Sequence, residues 1–229
     1  PDIIHLHNVH GYYLNIEVLF KFLREFGKPI IWTLHDCWPF TGHCAYFLYA
    51  KCERWRTSCH SCPEKTSYPK SLLLDNSRWN YRRKKELFTG LKRLTVVTPS
   101  RWLAGLVKES FLSEYPVKVI PNGIDINVFK PTPSDFRKRY GIEDKFVILG
   151  VANVWDRRKG FEYFLELSKF LSQRDVIVLV GVSERQMKVL PKNIIGIKKT
   201  NSPGELAQIY TAADVFLNPT LEDNYPTVN

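Results

Sequence analysis

Hydrophobic positions along the chain form short continuous runs that are separated by segments with helical spacing. The runs are typical of buried strands and cover residues 3–6, 29–34, 94–97 and 117–120. Between the first two runs, Ile16, Leu19 and Leu23 are spaced as on one face of a helix, and Gly27 is a typical residue at a helix C-terminus. Strands that alternate with helices predict a parallel sheet with helical crossover connections.

A second series with the same alternation follows residues 129–134, a stretch that contains two prolines and no apolar period. It predicts strands and helices in the order 146–151, 161–171, 176–180, 194–197, 205–210 and 215–217. We therefore expect an α/β protein with a first domain at residues 1–130, a linker at 131–142 and a second domain at 143–229. The chain starts inside a strand and stops soon after another, so we expect both domains to be incomplete parts of a longer protein.

The net charge of the chain indicates which classes of partner it favours. Its 229 residues include 33 Lys and Arg against 23 Asp and Glu, a formal net charge of +10. Such a surface favours nucleic acid, acidic lipid or phosphorylated small molecules. Residues 78–88 place Trp79 and Tyr81 among cations, which is typical of a helix on an anionic membrane and equally of a solvated helix with one buried stripe. No run of about 18 apolar residues is present, so no membrane-spanning segment is predicted. We expect a cytoplasmic protein, with peripheral contact at the inner face of the membrane as one alternative.

All five cysteines lie between residues 37 and 62, as an insertion in the first domain. Cys44, Cys52, Cys59 and Cys62 follow the spacing C-x7-C-x6-C-x2-C. Four thiolates at this spacing suit a tetrahedral structural zinc with no open coordination position. The alternative is a set of buried thiols without metal. In either case the clustering is typical of a reducing compartment rather than of a secreted disulfide protein.

Polar, turn-forming residues follow several strands, and ligands of open parallel sheets bind at the carboxyl ends of strands. We expect two such sheets to face each other across a cleft that binds a small anionic ligand. After the strand at 146–151, Asn153 leads to Arg157, Arg158 and Lys159 at the start of a helix. Cations at a helix N-terminus favour a diphosphate, and an ordinary basic surface loop is the alternative.

A pair of carboxylates, Glu222 and Asp223, follows the last predicted strand. Carboxylates in this position are suited to accept hydrogen bonds from the hydroxyls of a sugar or a ribose. An acidic surface loop is the simpler interpretation of the same two residues.

Taken in order, the motifs resemble Glycosyltransferase Family 4, whose members are retaining enzymes of the GT-B architecture, two Rossmann-like domains that face each other across a cleft. The resemblance covers nearly the whole chain and is carried by residues 1–7, 33–36, 97–100, 119–131, 158–160 and 206–226. Residues 120–131 are its most specific part. Residues 35–44 are similar to the branch that serves bacterial capsule, exopolysaccharide and lipopolysaccharide biosynthesis.

The resemblance implies a hexosyltransferase that moves a sugar from a nucleotide-sugar donor to a glycan or lipid-linked glycan, with retention of configuration and no catalytic cofactor. Lys159 corresponds to the family's lysine on the donor diphosphate. The family's usual arginine is Val154 here, so Arg157 and Arg158 are the candidates to replace it.

The resemblance also implies roles for one histidine and for the segment after the last strand. His35 corresponds to a histidine at the cleft floor, near the reacting carbon. Asp223 matches the first acid of the family's paired-acid motif, with Glu222 as the rival. The segment nearest the donor's sugar and phosphates comprises Asn224, Tyr225, Pro226 and Thr227.

Two other functions remain alternatives. One is a GT-B relative such as a sugar-nucleotide epimerase or a phosphorylase. The other is a nucleic-acid-binding module that uses the basic surface and the cysteine cluster. No nucleic-acid recognition motif accompanies the basic residues, and this alternative leaves two α/β series unexplained. We therefore expect a nucleotide-sugar and a glycan or lipid-linked acceptor as partners, and no nucleic acid.

Overall fold

The structure of the protein is a computed structural model that describes residues 1–11, 13–71 and 73–229. Contacts between Cα atoms divide the chain into two compact units. Unit 1 consists of Pro1–Asn122 and Asp223–Tyr225, and unit 2 consists of Gly123–Glu222 and Pro226–Asn229.

Unit 1 is built on a parallel sheet whose four strands lie in sequence order, β1-β2-β3-β4. The strands are β1 (Ile4–Leu6), β2 (Ile30–Thr33), β3 (Leu94–Thr98) and β4 (Val117–Val119). The helices that connect or cover them are α1 (Ile16–Phe26), α2 (Ser77–Phe88) and α3 (Arg101–Glu109), with short 3₁₀ helices at Trp38–Phe40 and Arg54–Arg56.

Helix α1 shows how the sequence fixes the crossover between the first two strands. Its N-cap residue Asn15 accepts hydrogen bonds from the backbone N–H groups of Glu17 and Val18. It ends at Gly27, which has the left-handed φ of 70° that a helix C-terminus favours. Its buried face places Phe20 against the rings of Trp32 and Phe88, at centroid distances of 5.3 and 4.4 Å.

Unit 2 is also a parallel sheet, with the strand order β7-β6-β5-β8. Its strands are β5 (Phe146–Val151), β6 (Asp175–Val180), β7 (Ile194–Ile197) and β8 (Val215–Phe216). Its helices are α4 (Phe136–Tyr140), α5 (Phe161–Ser168), α6 (Glu184–Met187) and α7 (Pro203–Ala212). Strand β5 is buried on both faces: Leu149 belongs to one core and Ile148 to the other. This two-sided burial is why its sequence is a continuous apolar run.

The division of the chain differs from the predicted one in two places. The predicted linker, residues 131–142, contains α4, and its Phe136 is buried in a core of unit 2. The division falls after Asn122, and Asp223–Tyr225 returns to unit 1 from far along the sequence. Two prolines made residues 129–134 look like a connector, while the single buried aromatic of a five-residue helix gives almost no periodic signal.

The longest helix in the described ranges has 12 residues. None of the helices there combines the length and the apolar character that crossing a membrane requires.

Candidate functional site

Three histidines lie in or just after β1 and β2 in unit 1: His5 is within β1, His7 follows β1, and His35 follows β2. The imidazoles of His7 and His35 are stacked, and His7 Nδ1 lies 2.9 Å from His35 Nε2, within hydrogen-bond distance. His5 Nε2 lies 2.8 Å from the hydroxyl of Thr33. The parallel register that pairs Leu6 with Trp32 brings these strand ends together. The site therefore has a pair of imidazoles in contact where its first two strands end.

The environment of His35 favours its neutral form. Burial lowers the pKa of His35 below the usual 6.5, the neighbouring His7 lowers it further, and Asp36 opposes the shift. Because the folded-state pKa is depressed, the contribution of His35 to stability is present at neutral pH and is lost as the pH falls below about 6.5. At neutral pH this side chain is a hydrogen-bonding group and not a cation.

The segment Asp223–Tyr225 is held by the ends of three strands of unit 1. The Asn224 side-chain amide donates to the carbonyl of His35 at 3.0 Å. Its oxygen accepts a hydrogen bond from the hydroxyl of Ser100 at 2.7 Å. The Asn122 amide donates to the carbonyl of Tyr225 at 3.3 Å. Tyr225 has a φ of 60°, a left-handed conformation that is uncommon for this residue type and is typical of functional loops.

In unit 2, hydrogen bonds and close backbone packing fix the basic loop between β5 and α5. The backbone N–H of Lys159 donates to the Asp156 carboxylate at 2.8 Å. Gly160 follows with a left-handed φ of 78°, and a Cβ there would lie 2.6 Å from the Pro219 carbonyl. Only glycine therefore allows this approach of the helix start to the later segment. The loop delivers its cations to the N-terminus of α5, where an anion is stabilised.

Arg158 ties this loop to the segment that follows β8. Its guanidinium donates to the carbonyl of Glu222 at 2.6 Å, and its own carbonyl accepts from the backbone N–H of Leu221 at 2.8 Å. On the loop's other side, the Trp155 indole donates to the Val180 carbonyl at 2.9 Å. The basic loop is thus fixed at both ends.

The structure places the predicted site residues in two groups. Unit 1 contains His35, Asp223, Asn224 and Tyr225, and unit 2 contains Asn153, Arg157, Arg158, Lys159, Glu222, Pro226 and Thr227. Within these groups it brings Asn224 to the carbonyl of His35, and Arg158 to the carbonyl of Glu222. Asn153 and Arg157 are exposed on the basic loop. The roles assigned to these residues stay predictions.

Sequence reasoning missed the anchoring roles of Ser100 and Asn122. Both were recognisable as polar residues at strand ends, which is the one signal the sequence offered. Their partners lie more than a hundred positions away, at Asn224 and Tyr225, and no local pattern reports such a contact.

The four clustered cysteines line one small pocket of unit 1, and none forms a disulfide. The thiols of Cys44 and Cys62 share a hydrogen bond. Across the described ranges, no three His, Cys, Asp or Glu side chains already form a group arranged to hold a metal ion. The zinc interpretation therefore stays a prediction.

A buried lysine lies beside this cluster. Lys84 of α2 is only 4% exposed, and its ammonium donates to the carbonyls of Trp38 at 2.7 Å and Thr41 at 3.0 Å. It also lies 3.4 Å from the centre of the Trp38 ring. Burial lowers the pKa of Lys84 to about 7, and the nearby Cys44, Asp36 and Cys59 oppose this shift.

A model of the family described as Glycosyltransferase Family 4 matches residues 1–128. Over 136 residues the chain is 33% identical to WcaC of Escherichia coli (strain K12), which is named for glycosyl transfer in colanic acid biosynthesis; the match covers 55% of this chain and 32% of the relative. Over 135 residues it is 27% identical to UDP-Gal:alpha-D-GlcNAc-diphosphoundecaprenol alpha-1,3-galactosyltransferase of Escherichia coli, covering 52% of this chain and 35% of that relative. The matches thus span about a third of each relative's length.

The solved structure of sucrose-phosphate synthase from Thermosynechococcus elongatus matches with a TM-score of 0.68 at 17% identity, and the match covers 99% of this chain and 52% of that one. At this level of identity the likeness shows the fold alone. The predicted α/β fold of the GT-B type, with two parallel-sheet units, is confirmed.

Proposed function

This chain belongs to Glycosyltransferase Family 4, and we propose that the protein transfers a hexosyl group from a nucleotide-sugar donor to a glycan or lipid-linked glycan in surface polysaccharide biosynthesis. The relatives' names support this process, because one refers to colanic acid and the other to a sugar on diphosphoundecaprenol. The observation that carries the proposal is the basic loop of unit 2, residues 157–159, fixed at the N-terminus of α5.

The basic loop suits the diphosphate of a nucleotide-sugar. When the bond between the sugar and the diphosphate breaks, negative charge develops on the leaving oxygen. Arg157, Arg158 and Lys159 supply positive charge, and the first N–H groups of α5 supply oriented dipoles. Because the loop is already held by hydrogen bonds, little reorganisation accompanies the build-up of charge.

The proposed reaction exchanges one bond at the anomeric carbon for another. The bond from that carbon to the diphosphate oxygen breaks, a bond to an acceptor hydroxyl oxygen forms on the same face, and the hydroxyl proton passes to the departing diphosphate. Retention of configuration follows from attack on the face that the diphosphate leaves. We assign His35, in its neutral form, and Asp223 to positions near the reacting sugar. No metal or other cofactor takes part in this scheme.

A thermal-shift comparison of the purified protein with UDP, GDP, ADP and CMP tests the donor assignment. A nucleotide at a hundred times its dissociation constant stabilises the folded state by about 2.7 kcal/mol. We expect UDP to give the largest shift, since the diphosphoundecaprenol-linked relative is named for a UDP-sugar. Equal, negligible shifts with all four nucleotides would contradict the proposal, whereas a different preferred nucleotide would correct only the base.

We further propose that α2 brings the protein to an anionic membrane, where a lipid-linked acceptor resides. The buried stripe of this helix includes Tyr81 and Phe88, as one sequence interpretation predicted. Its other face exposes Arg78 and Arg82 beside Trp79, which is 63% exposed. Cations around an exposed tryptophan match the charge and depth profile of an anionic lipid surface.

Sedimentation with lipid vesicles tests this contact. We expect the protein to bind vesicles that contain phosphatidylglycerol and not vesicles of phosphatidylcholine alone. Arg78→Glu with Arg82→Glu should weaken binding at least tenfold, since each basic residue near such a surface contributes about 1 kcal/mol. Lys138→Glu with Lys192→Glu is the control, because it changes the net charge equally at exposed positions in unit 2. Equal losses in both variants would show a general charge effect and overturn the assignment to α2.

A further inference from the structure

We propose that Cys44, Cys52, Cys59 and Cys62 bind one structural zinc ion, and that Lys84 partly offsets the negative charge of the zinc and its four thiolates. All four side chains line a single pocket whose cavity volume is about 10 Å³. A cavity of this size has room for one occupant of atomic dimensions and no more. The ligand class that fits four thiols around one atom is a soft divalent metal, for which zinc is the common choice.

The backbone is bent to present two of these thiols. Lys51 and Ser61 have φ values of 52° and 44°, and they stand directly before Cys52 and Cys62. In the described ranges, only one other non-glycine residue has a positive φ. Such conformations cost free energy and persist where the surroundings require them. Here the positive φ values of Lys51 and Ser61 turn the chain so that Cys52 and Cys62 line the same pocket.

The sulfur of Cys59 accepts a hydrogen bond from the backbone of Gly42. The backbone N–H of Gly42 donates to Cys59 Sγ at 3.1 Å. A Cβ on Gly42 would lie 2.1 Å from the Ser77 carbonyl and 2.6 Å from the Cys59 Cβ, so only glycine allows this approach. Donors of this kind stabilise negative charge on sulfur and commonly surround metal-bound thiolates.

Lys84 places a buried positive charge near the cysteines. Its ammonium is buried, and it donates hydrogen bonds to the neutral carbonyls of Trp38 and Thr41. The Cys44 and Cys59 side chains and Asp36 lie near this ammonium, and the Asp36 carboxylate is engaged with His10 at 3.2 Å. A buried cation requires a compensating negative charge. Zinc with four thiolates has a net charge of about −2, and the single positive charge of Lys84 offsets about half of it.

The thiols surround the pocket but are not yet arranged around one point. Zinc binding therefore requires side-chain rotations that bring each sulfur to about 2.3 Å from the metal. The only regular structure between Cys44 and Cys62 is one turn of 3₁₀ helix, Arg54–Arg56. A metal that joins four points of this stretch would help to keep its aromatic residues Phe47 and Trp55 packed together and Trp55 packed against Phe40.

Metal analysis of the purified protein tests the inference without any assay of activity. We expect about one zinc per chain by mass spectrometry of the dialysed protein, for one tetrahedral site. Cys52→Ser and Cys59→Ser should each lose most of the metal. Cys37→Ser is the matched control, because Cys37 is a buried core cysteine that does not line the pocket. Full zinc content in the two ligand variants, or equal loss in the control, would overturn the site.

A second measurement covers the case in which the serine variants fail to fold. The wild-type protein is stripped of metal and titrated with Co²⁺, which reports its ligands through absorption. Thiolate-to-cobalt charge-transfer bands that disappear when Zn²⁺ is added would support the site. A protein that stays folded and shows no such bands, or only those of histidine and water ligands, would overturn it.

Discussion

Replacing Lys159 with alanine is expected to lower kcat/KM for the nucleotide-sugar by about a hundredfold to a thousandfold, the usual effect of removing one group that stabilises developing charge. The substitution removes a formal positive charge from the start of α5 and leaves the backbone N–H that binds Asp156 in place. Most of the loss should appear in kcat, because the charge on the diphosphate grows as the sugar departs. Steady-state kinetics with the preferred nucleotide-sugar measure this effect.

Lys169→Ala is the matched control for this prediction. Lys169 follows the other end of α5 and forms an exposed pair with Glu166, so its removal changes the net charge equally without touching the loop. We expect its kinetics to remain within about twofold of wild type, because exposed ion pairs contribute little. An unchanged kcat/KM in Lys159→Ala, or a similar loss in both variants, would refute the diphosphate assignment. His35→Ala in the same assay tests the proposed position of that side chain near the reacting sugar.

The fold could be predicted because its signals are local. The run from Phe146 to Val151 is apolar throughout, as expected for a strand that is buried on both faces, and it is the predicted strand to the residue. Gly27 ends α1 as its sequence position indicated. In contrast, α4 was missed because five residues cannot establish a period, and only Phe136 among them is buried.

The candidate site was predictable in part. The basic loop could be recognised because its residues are consecutive and precede a helix, so chain connectivity alone brings them together. The contacts of Asn224 could not be predicted from the sequence, because its partners His35 and Ser100 lie 189 and 124 positions earlier. Local sequence patterns indicate which residue types end each strand, and the order of strands in the sheet decides which of those ends meet.

Gly181→Ala is expected to destabilise the protein by more than about 4 kcal/mol, at the upper end of the range for single substitutions. Gly181 directly follows β6 and has a left-handed φ of 94°, which an alanine adopts only with strain. An added Cβ would lie 1.7 Å from the carbonyl oxygen of Ala152, at the end of β5. The backbones of Gly181 and Ala152 are both held by hydrogen bonds at the ends of sheet strands. The clash is therefore relieved only if a strand moves.

Urea unfolding measures this loss, and Gly204→Ala is the control within unit 2. Gly204 lies in the first turn of α7, where the nearest atom to a new Cβ is 3.8 Å away, so alanine there should be neutral or stabilising by up to about 1 kcal/mol. If the free energy of unfolding of Gly181→Ala lies within about 1 kcal/mol of the wild-type value, the close approach of Gly181 to Ala152 is wrong. Because Ala152 precedes the basic loop, the same shift should also weaken UDP-induced stabilisation in any Gly181→Ala protein that remains folded, which links this backbone contact to donor binding.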